Sequence, residues 1–208
     1  MERNKQYPIM KIARLRIGSD GEGIRTLVLV GNCLLKCRYC INAFTWNGSV
    51  IPSYLTVETL YEKICIDRPY ILASSGGITF GGGEPLLYPD LINEVRKICE
   101  PEMSIYVETS LHVKWENIAL VADQVGRFYV DIKSMDPSIY QEYTSQDLEL
   151  TKHNLINLLK IKGPEEIVVR IPEIPGYVSQ ESQEESMQKL KELGITHFDL
   201  FKYKIPES

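Results

Sequence analysis

Short apolar runs alternate along the chain with longer amphipathic stretches, and that alternation predicts the elements. Residues 12–17 alternate weakly and predict a short edge strand, and residues 18–23, with two glycines and two acids, predict a turn. Residues 24–30, rich in β-branched and leucine side chains, read as a buried strand. Thr56 is placed to N-cap a helix reaching about Asp67. Further strands are expected at 77–80, 104–108, 128–132, 167–171 and 197–201. Between them, helical patterns run over 89–99, 113–122, a short stretch opened by Pro137, 148–161 and 181–193, the last closed by Gly194.

Strand and helix thus alternate about six times, which implies parallel strands joined by right-handed crossovers. Periodicity alone leaves two architectures open, a doubly wound open sheet and an incomplete β/α barrel. The 208 residues suit one domain over 1–208, because no linker or low-complexity segment divides them. Residues 31–53 are long for a connection inside a compact domain, and such loops are usually functional.

Composition narrows the classes. Apolar residues make up 44% and charged residues 25%, the profile of a soluble globular protein. A net charge of −5 argues against non-specific nucleic-acid binding, although Arg14, Arg16, Arg25, Lys36 and Arg38 could form a local basic patch. Residues 1–10 lack the apolar core of a signal peptide, and no run reaches membrane-spanning length, so a cytoplasmic location and no membrane partner are expected. Five cysteines is an odd number, and three crowd one loop, which in a reducing compartment favours metal over disulfides. Cys65 and Cys99 stand alone in helical patterns and read as buried structural thiols.

The crowded stretch is Cys33-Leu34-Leu35-Lys36-Cys37-Arg38-Tyr39-Cys40. Three thiolates at this spacing can hold three irons of a four-iron cluster and leave the fourth open to a small molecule, whereas electron-carrying clusters normally use four cysteines. Structural zinc is the competing reading; it needs four ligands, and the nearest histidine is His112. Gly81-Gly82-Gly83-Glu84-Pro85 follows a strand, and glycines there let a ligand lie against the backbone while Glu84, or carbonyls beside it, accept from an ammonium. A tight strand-to-helix turn is the alternative. Asp131 and Lys133 are two apart and share a strand side, as either an ion pair or a ligand contact. Arg170 presents a fork suited to a carboxylate or to a neighbouring acid. All these positions fall at carboxyl ends of predicted strands, the face where parallel α/β proteins bind ligands.

These residues together resemble the radical S-adenosylmethionine (radical SAM) superfamily, and within it the activating enzymes of glycyl-radical enzymes. The matching pieces are Asp20-Gly21-Glu22-Gly23-Ile24-Arg25; residues 31–40 with Asn42 and Thr45-Trp46; Gly76-Gly77-Ile78-Thr79 leading into Gly81 to Pro85; Glu108-Thr109; Asp131-Ile132-Lys133; and Arg170 ahead of Pro175-Gly176. The resemblance implies an α/β fold, a partial (β/α)6 TIM-like barrel of parallel strands with the cluster loop at 31–48. It implies that Cys33, Cys37 and Cys40 bind a [4Fe-4S] cluster whose open iron takes S-adenosylmethionine. Gly82, Gly83 and Glu84 would hold the methionine ammonium, Asp131 and Lys133 the methionine and ribose part, Arg170 the carboxylate, and Tyr39 and Ile41 the adenine. Some members also hold a monovalent cation, and Glu108, Thr109 and Asp131 stand at the corresponding places. A flavodoxin or ferredoxin would supply the electron, and a glycine of a partner glycyl-radical enzyme would give up the hydrogen. The alternative is a superfamily enzyme acting on a small molecule or peptide, as in deazapurine or modified-peptide biosynthesis; a cluster-binding regulator without turnover would have no use for a methionine site. The chain departs from the pattern at Glu22, Ile41, Ser110-Leu111 and Tyr203-Lys204.

Overall fold

The computed structural model describes residues 5–205. The expectations of one domain over 1–208 and of a signal-free start at 1–10 run into residues 1–4 and 206–208, which lie outside the described residues. The elements in chain order are β1 (Tyr7–Ile17), β2 (Ile24–Val30), β3 (Ser53–Leu55), α1 (Val57–Cys65), α2 (Arg68–Ala73), β4 (Gly77–Gly82), α3 (Pro89–Ile98) and β5 (Ser104–Thr109). They continue with α4 (Trp115–Ala119), β6 (Arg127–Asp131), α5 (Pro137–Thr144), α6 (Glu149–Lys162), β7 (Ile167–Glu173), α7 (Gln180–Glu192) and β8 (His197–Lys202).

Local signals placed most boundaries. The Thr56 hydroxyl caps α1 by accepting from the Thr59 N–H, and Gly194 follows α7 in a left-handed conformation at φ +99°. The helix expected to reach Asp67 stops at Cys65, because Pro69 starts a new helix and the Asp67 carboxylate turns to Arg14. The helix expected over 113–122 shrinks to the short α4 and a 3-10 turn at Ala122–Gln124.

One eight-stranded sheet runs in the order β3-β1-β2-β4-β5-β6-β7-β8. The six strands from β2 to β8 are parallel and keep their chain order, while β1 and β3 add antiparallel. A doubly wound sheet would reverse order at a switch point. Without reversal, right-handed crossovers place every helix on one face and the sheet curls, giving the partial (β/α)6 barrel. β1 is nearly twice as long as expected; β3 covers its far side only at Tyr7–Ile9, so the 12–17 stretch is an edge as expected.

The strands from β4 to β7 alternate apolar and polar side chains with period two. Ile78, Phe80, Ile105, Val107, Phe128, Val130, Ile167, Val169 and Ile171 are buried against the helices and form the core. The residues between them, among them Thr79, Tyr106, Glu108, Tyr129, Asp131 and Arg170, share the opposite, concave face. The chemistry is therefore carried by the face the core does not use.

Arg25 closes the lower part of that face. It is fully buried, and all five guanidinium N–H groups are used: on the Thr79 hydroxyl (2.7 Å), the Glu22 and Ile78 carbonyls, and the Ser104 hydroxyl and carbonyl. Its guanidinium carbon lies 3.7 Å from the Tyr106 ring centroid. Burial lowers its pKa to about 10. Gly21, at φ +125°, folds the preceding turn over the same ring, where an added Cβ would lie 2.5 Å from Tyr106 Cδ2. The Asp-Gly-x-Gly-Ile-Arg stretch is thus a plug under the barrel, and Arg25 is no part of a basic patch. Arg25→Ala is expected to cost about 3 kcal/mol or more through a cavity and orphaned acceptors, read as a fall in the urea midpoint. Unchanged stability would show that the plug is dispensable.

Candidate active site

The loop after β2 is long but tied along its length. The N–H groups of Gly31, Asn32, Lys36 and Arg38 donate to the carbonyls of Pro8, Thr45, Thr144 and Tyr143, at 2.8–3.0 Å. Cys37 and Cys40 are joined by a turn in which the Cys40 N–H reaches the Cys37 carbonyl. Lys36 bonds the Cys33 carbonyl at 3.0 Å and lies over the Trp46 ring. Of the five cations that could have formed a basic patch, only Lys36 and Arg38 stand on this loop, since Arg14 and Arg16 are paired with Asp67 and Asp20.

The glycines after β4 serve the protein before any ligand. A Cβ on Gly82, which sits at φ +92°, would fall 2.7 Å from Leu29 Cβ, and one on Gly83 would fall 2.1 Å from the Asn32 carbonyl oxygen. Their bareness lets this loop press onto β2 and the cysteine loop, while both glycines also line the cavity described below. Gly81 makes room for the Glu108 carboxylate, 2.9 Å from where its Cβ would be.

Glu84 is 1% exposed. Its Oε1 accepts from the Thr109 hydroxyl (2.7 Å) and the Leu86 N–H (3.2 Å), and its Oε2 from the Ser110 hydroxyl (2.7 Å) and N–H (3.0 Å). Burial pushes its pKa up, and the donated hydrogen bonds pull it back. Both oxygens are filled, so the carboxylate pins the glycine loop to the end of β5, and carbonyls beside it are the acceptors left for an ammonium. Ser110 was recognisable from sequence only as a departure from a family pattern. Leu111, the other half of that departure, sits in the core at φ +57°, a region glycine occupies without steric cost.

The charged strand ends meet on the concave face. Register sets Asp131, Arg170 and Asp199 abreast on β6, β7 and β8. Arg170 forks onto Asp131 through Nε and Nη2, both at 3.0 Å, and reaches Glu108 through Nη1 at 2.9 Å. Lys133 Nζ lies 3.7 Å from Asp131 Oδ1. Burial pushes Asp131 up, but Arg170 and Lys133 outweigh it and hold its pKa below the usual value; at Glu108 burial outweighs Arg170 and the pKa is raised. Arg170 is thus engaged with two acids, leaving one N–H on each Nη.

A cavity of about 530 Å³ collects these groups and is of ligand-binding size. Cys33, Cys37, Cys40, Ile41, Gly82, Gly83, Glu84, Glu108, Thr109, Asp131, Lys133 and Arg170 all line it. So do Arg16 of β1, and Lys11, Asp199 and Phe201, three positions that no sequence signal marked. Strands far apart in the sheet border one cavity because the sheet curls without closing. Tyr39 is the exception among the expected site residues. Its ring packs edge-on against Tyr143 and Tyr177, so any contact with an adenine would come from its backbone.

Tyr203 clamps the same segment: its hydroxyl donates to the Tyr39 carbonyl and accepts from the Ile41 N–H at 3.2 Å. Tyr203→Phe should change stability by only about 1 kcal/mol, while the Ile41 amide exchanges hydrogen faster. Unaltered exchange at residue 41 would show that the clamp does not form in solution.

The thiols sit in a low-dielectric wall. Burial pushes Cys33 up to about 12, with Glu84 adding, and Cys37 up to about 11, with Lys133 opposing. Both are neutral at pH 7 until a metal displaces the proton. Among the described residues no three His, Cys, Asp or Glu side chains converge on a single-ion position. His112 is buried against Thr151, and Cys65 and Cys99 do not line the cavity, so neither the nearest histidine nor the other cysteines join the three thiols. Cys33, Cys37 and Cys40 line the cavity together, and three thiolates are the donor set that a cluster with one open position would need. No helix among the described residues is long and apolar enough to cross a membrane.

Comparison with known proteins follows the same lines. A family model described as the radical SAM superfamily matches residues 27–185. The chain is 34% identical over 127 residues to the pyruvate formate-lyase-activating enzyme of Clostridium pasteurianum, covering 61% of this chain and 53% of that one. It is 36% identical over 122 residues to the (2S)-3-sulfopropanediol dehydratase activating enzyme of Klebsiella oxytoca, covering 58% and 38%. The chain therefore spans about half the length, or less, of these curated relatives. Its fold is similar to that of Streptococcus suis SuiB bound to S-adenosylmethionine, with a TM-score of 0.60 at 20% identity over 83% of this chain and 39% of that one.

Proposed function

This chain belongs to the radical SAM superfamily, and on that premise we propose that it cleaves S-adenosylmethionine reductively and activates a partner glycyl-radical enzyme by removing hydrogen from one of its glycines. The observation that carries the reading is the gathering of Cys33, Cys37 and Cys40 with the glycine loop and the Asp131–Lys133–Arg170 charges around one cavity. We take the described residues as one catalytic domain. The similarity to two activating enzymes supports the partner class.

Cys33, Cys37 and Cys40 would hold the [4Fe-4S] cluster. Such a cluster, with an electron from a flavodoxin or ferredoxin, would supply the one-electron chemistry that cleaves the sulfonium of S-adenosylmethionine. The chain's own residues orient the bound molecule. Carbonyls of the Gly82–Gly83 turn, fixed by Glu84, accept from its ammonium, and the spare N–H groups of Arg170 meet its carboxylate. Lys133 and Asp131 face its ribose side, and Ile41 offers an apolar surface to the adenine. Leu27, Leu29, Leu35 and Phe201 supply apolar wall, which limits water near a radical. The stretch between β1 and β8, where no ladder forms among the described residues, is the side from which a polypeptide loop would enter.

The test is anaerobic reconstitution of the cluster, reduction, and measurement of 5′-deoxyadenosine after S-adenosylmethionine is added. Stoichiometric product is expected, and a fully loaded protein that makes none refutes the reading. With a candidate partner enzyme present, a glycyl-radical resonance is expected. Product without that resonance, coupled to turnover of a small molecule or peptide, would favour the other substrate class.

A further inference from the structure

Some members of the family that this chain resembles hold a monovalent cation beside S-adenosylmethionine, and Glu108, Thr109 and Asp131 stand at the corresponding places. Here those residues do not fit one. A hard cation needs several oxygens free to point at a common centre. Asp131 gives Oδ1 to Arg170 Nε and Oδ2 to Arg170 Nη2, and Glu108 gives Oε1 to Arg170 Nη1. Glu108 Oε2 faces Gly81. The Thr109 hydroxyl is turned away, donating to Glu84 Oε1 at 2.7 Å and accepting from the Leu111 N–H at 2.9 Å. The centre that the two carboxylates share is occupied by a guanidinium.

Charge leads to the same conclusion. Two acids, Glu108 and Asp131, face two bases, Arg170 and Lys133, and the four side chains are only 15–24% exposed. A further cation would have to sit against the charges of Arg170 and Lys133, beside a ligand that itself carries a sulfonium. The fork geometry of arginine suits this position, because one planar group spans two carboxylates and keeps N–H groups for a third.

We propose that Arg170 is the built-in counter-cation of this site, so that S-adenosylmethionine binding requires neither sodium nor potassium. The inference rests on the S-adenosylmethionine reading above. It makes Arg170 do two things at once: hold Glu108 and Asp131 in place, and present its remaining N–H groups to the ligand.

The experiment measures S-adenosylmethionine affinity of the anaerobically reconstituted protein by calorimetry in potassium, sodium and tetramethylammonium chloride at equal ionic strength. Affinities within about twofold across the three salts are expected, and a tightening of about fivefold or more by potassium or sodium overturns the proposal. Arg170→Gln should weaken binding about tenfold in tetramethylammonium and regain part of the loss in potassium, since the acids are then open to an alkali cation. An R170Q protein that binds as tightly as the parent without alkali cation also overturns it. Should R170Q not fold, the comparison of salts on the parent protein decides alone. If S-adenosylmethionine binds in no salt, the function reading falls, and thermal unfolding of the ligand-free protein in the same salts still decides the cation question. A potassium- or sodium-specific rise above roughly 2 °C overturns the proposal, and equal midpoints support it.

Discussion

Cys37→Ala is expected to abolish 5′-deoxyadenosine formation, with a loss well beyond about a hundredfold, because even groups that only orient a metal's ligands cost ten- to a hundredfold when removed. Cys37 is one of three thiols on the cavity wall, and neither Cys65 nor Cys99 lines that cavity to replace it. Two remaining cysteines supply too few ligands to hold a four-iron cluster on this loop. Iron and sulfide content and the cluster's visible absorbance should fall together with activity. Cys65→Ala is the control, at the end of α1, and should load as much iron as the parent protein. A Cys37→Ala protein that retained both iron and product would remove the cluster from this loop.

The second large effect is expected at Glu84. Glu84→Ala leaves the buried N–H groups of Leu86 and Ser110 without acceptors and removes the tie between the glycine loop and β5. Leaving several buried donors unsatisfied costs about 3 kcal/mol or more, and for a chain of this size that lowers the melting temperature by roughly 6–12 °C. Glu84→Gln preserves shape but turns an amide donor toward donors that already fill both oxygens, so it too should destabilise. S-adenosylmethionine affinity should fall with stability, since the Gly82–Gly83 carbonyls lose their fixed position. If Glu84→Gln matched the parent in both, the four-donor arrangement would be wrong.

Much of the architecture was legible before any coordinates. Period-two runs separated by helical lengths specify parallel strands and crossovers, and caps such as Thr56 and Gly194 mark helix ends by local chemistry alone. β3 was not legible, because three largely solvent-facing residues carry no periodicity and owe their conformation to pairing with β1. The choice between barrel and doubly wound sheet was also beyond the pattern, since it depends on the order in which strands become neighbours.

The cysteine loop shows the same division at the site. Spacing along a few residues determined which chemistry Cys33, Cys37 and Cys40 suit, because ligand number and separation are local properties. The amino-acid sequence alone also determined that the charged positions lie at strand ends. What each charged side chain does was decided by the tertiary structure. Arg170 meets Glu108 and Asp131, 62 and 39 residues away, only because β5, β6 and β7 lie side by side in one register. Glu84 meets Ser110, and Gly83 meets Asn32, for the same reason. Short-range spacing encodes the kind of group a site can hold, whereas strand adjacency selects the partner that leaves each group free, engaged or buried.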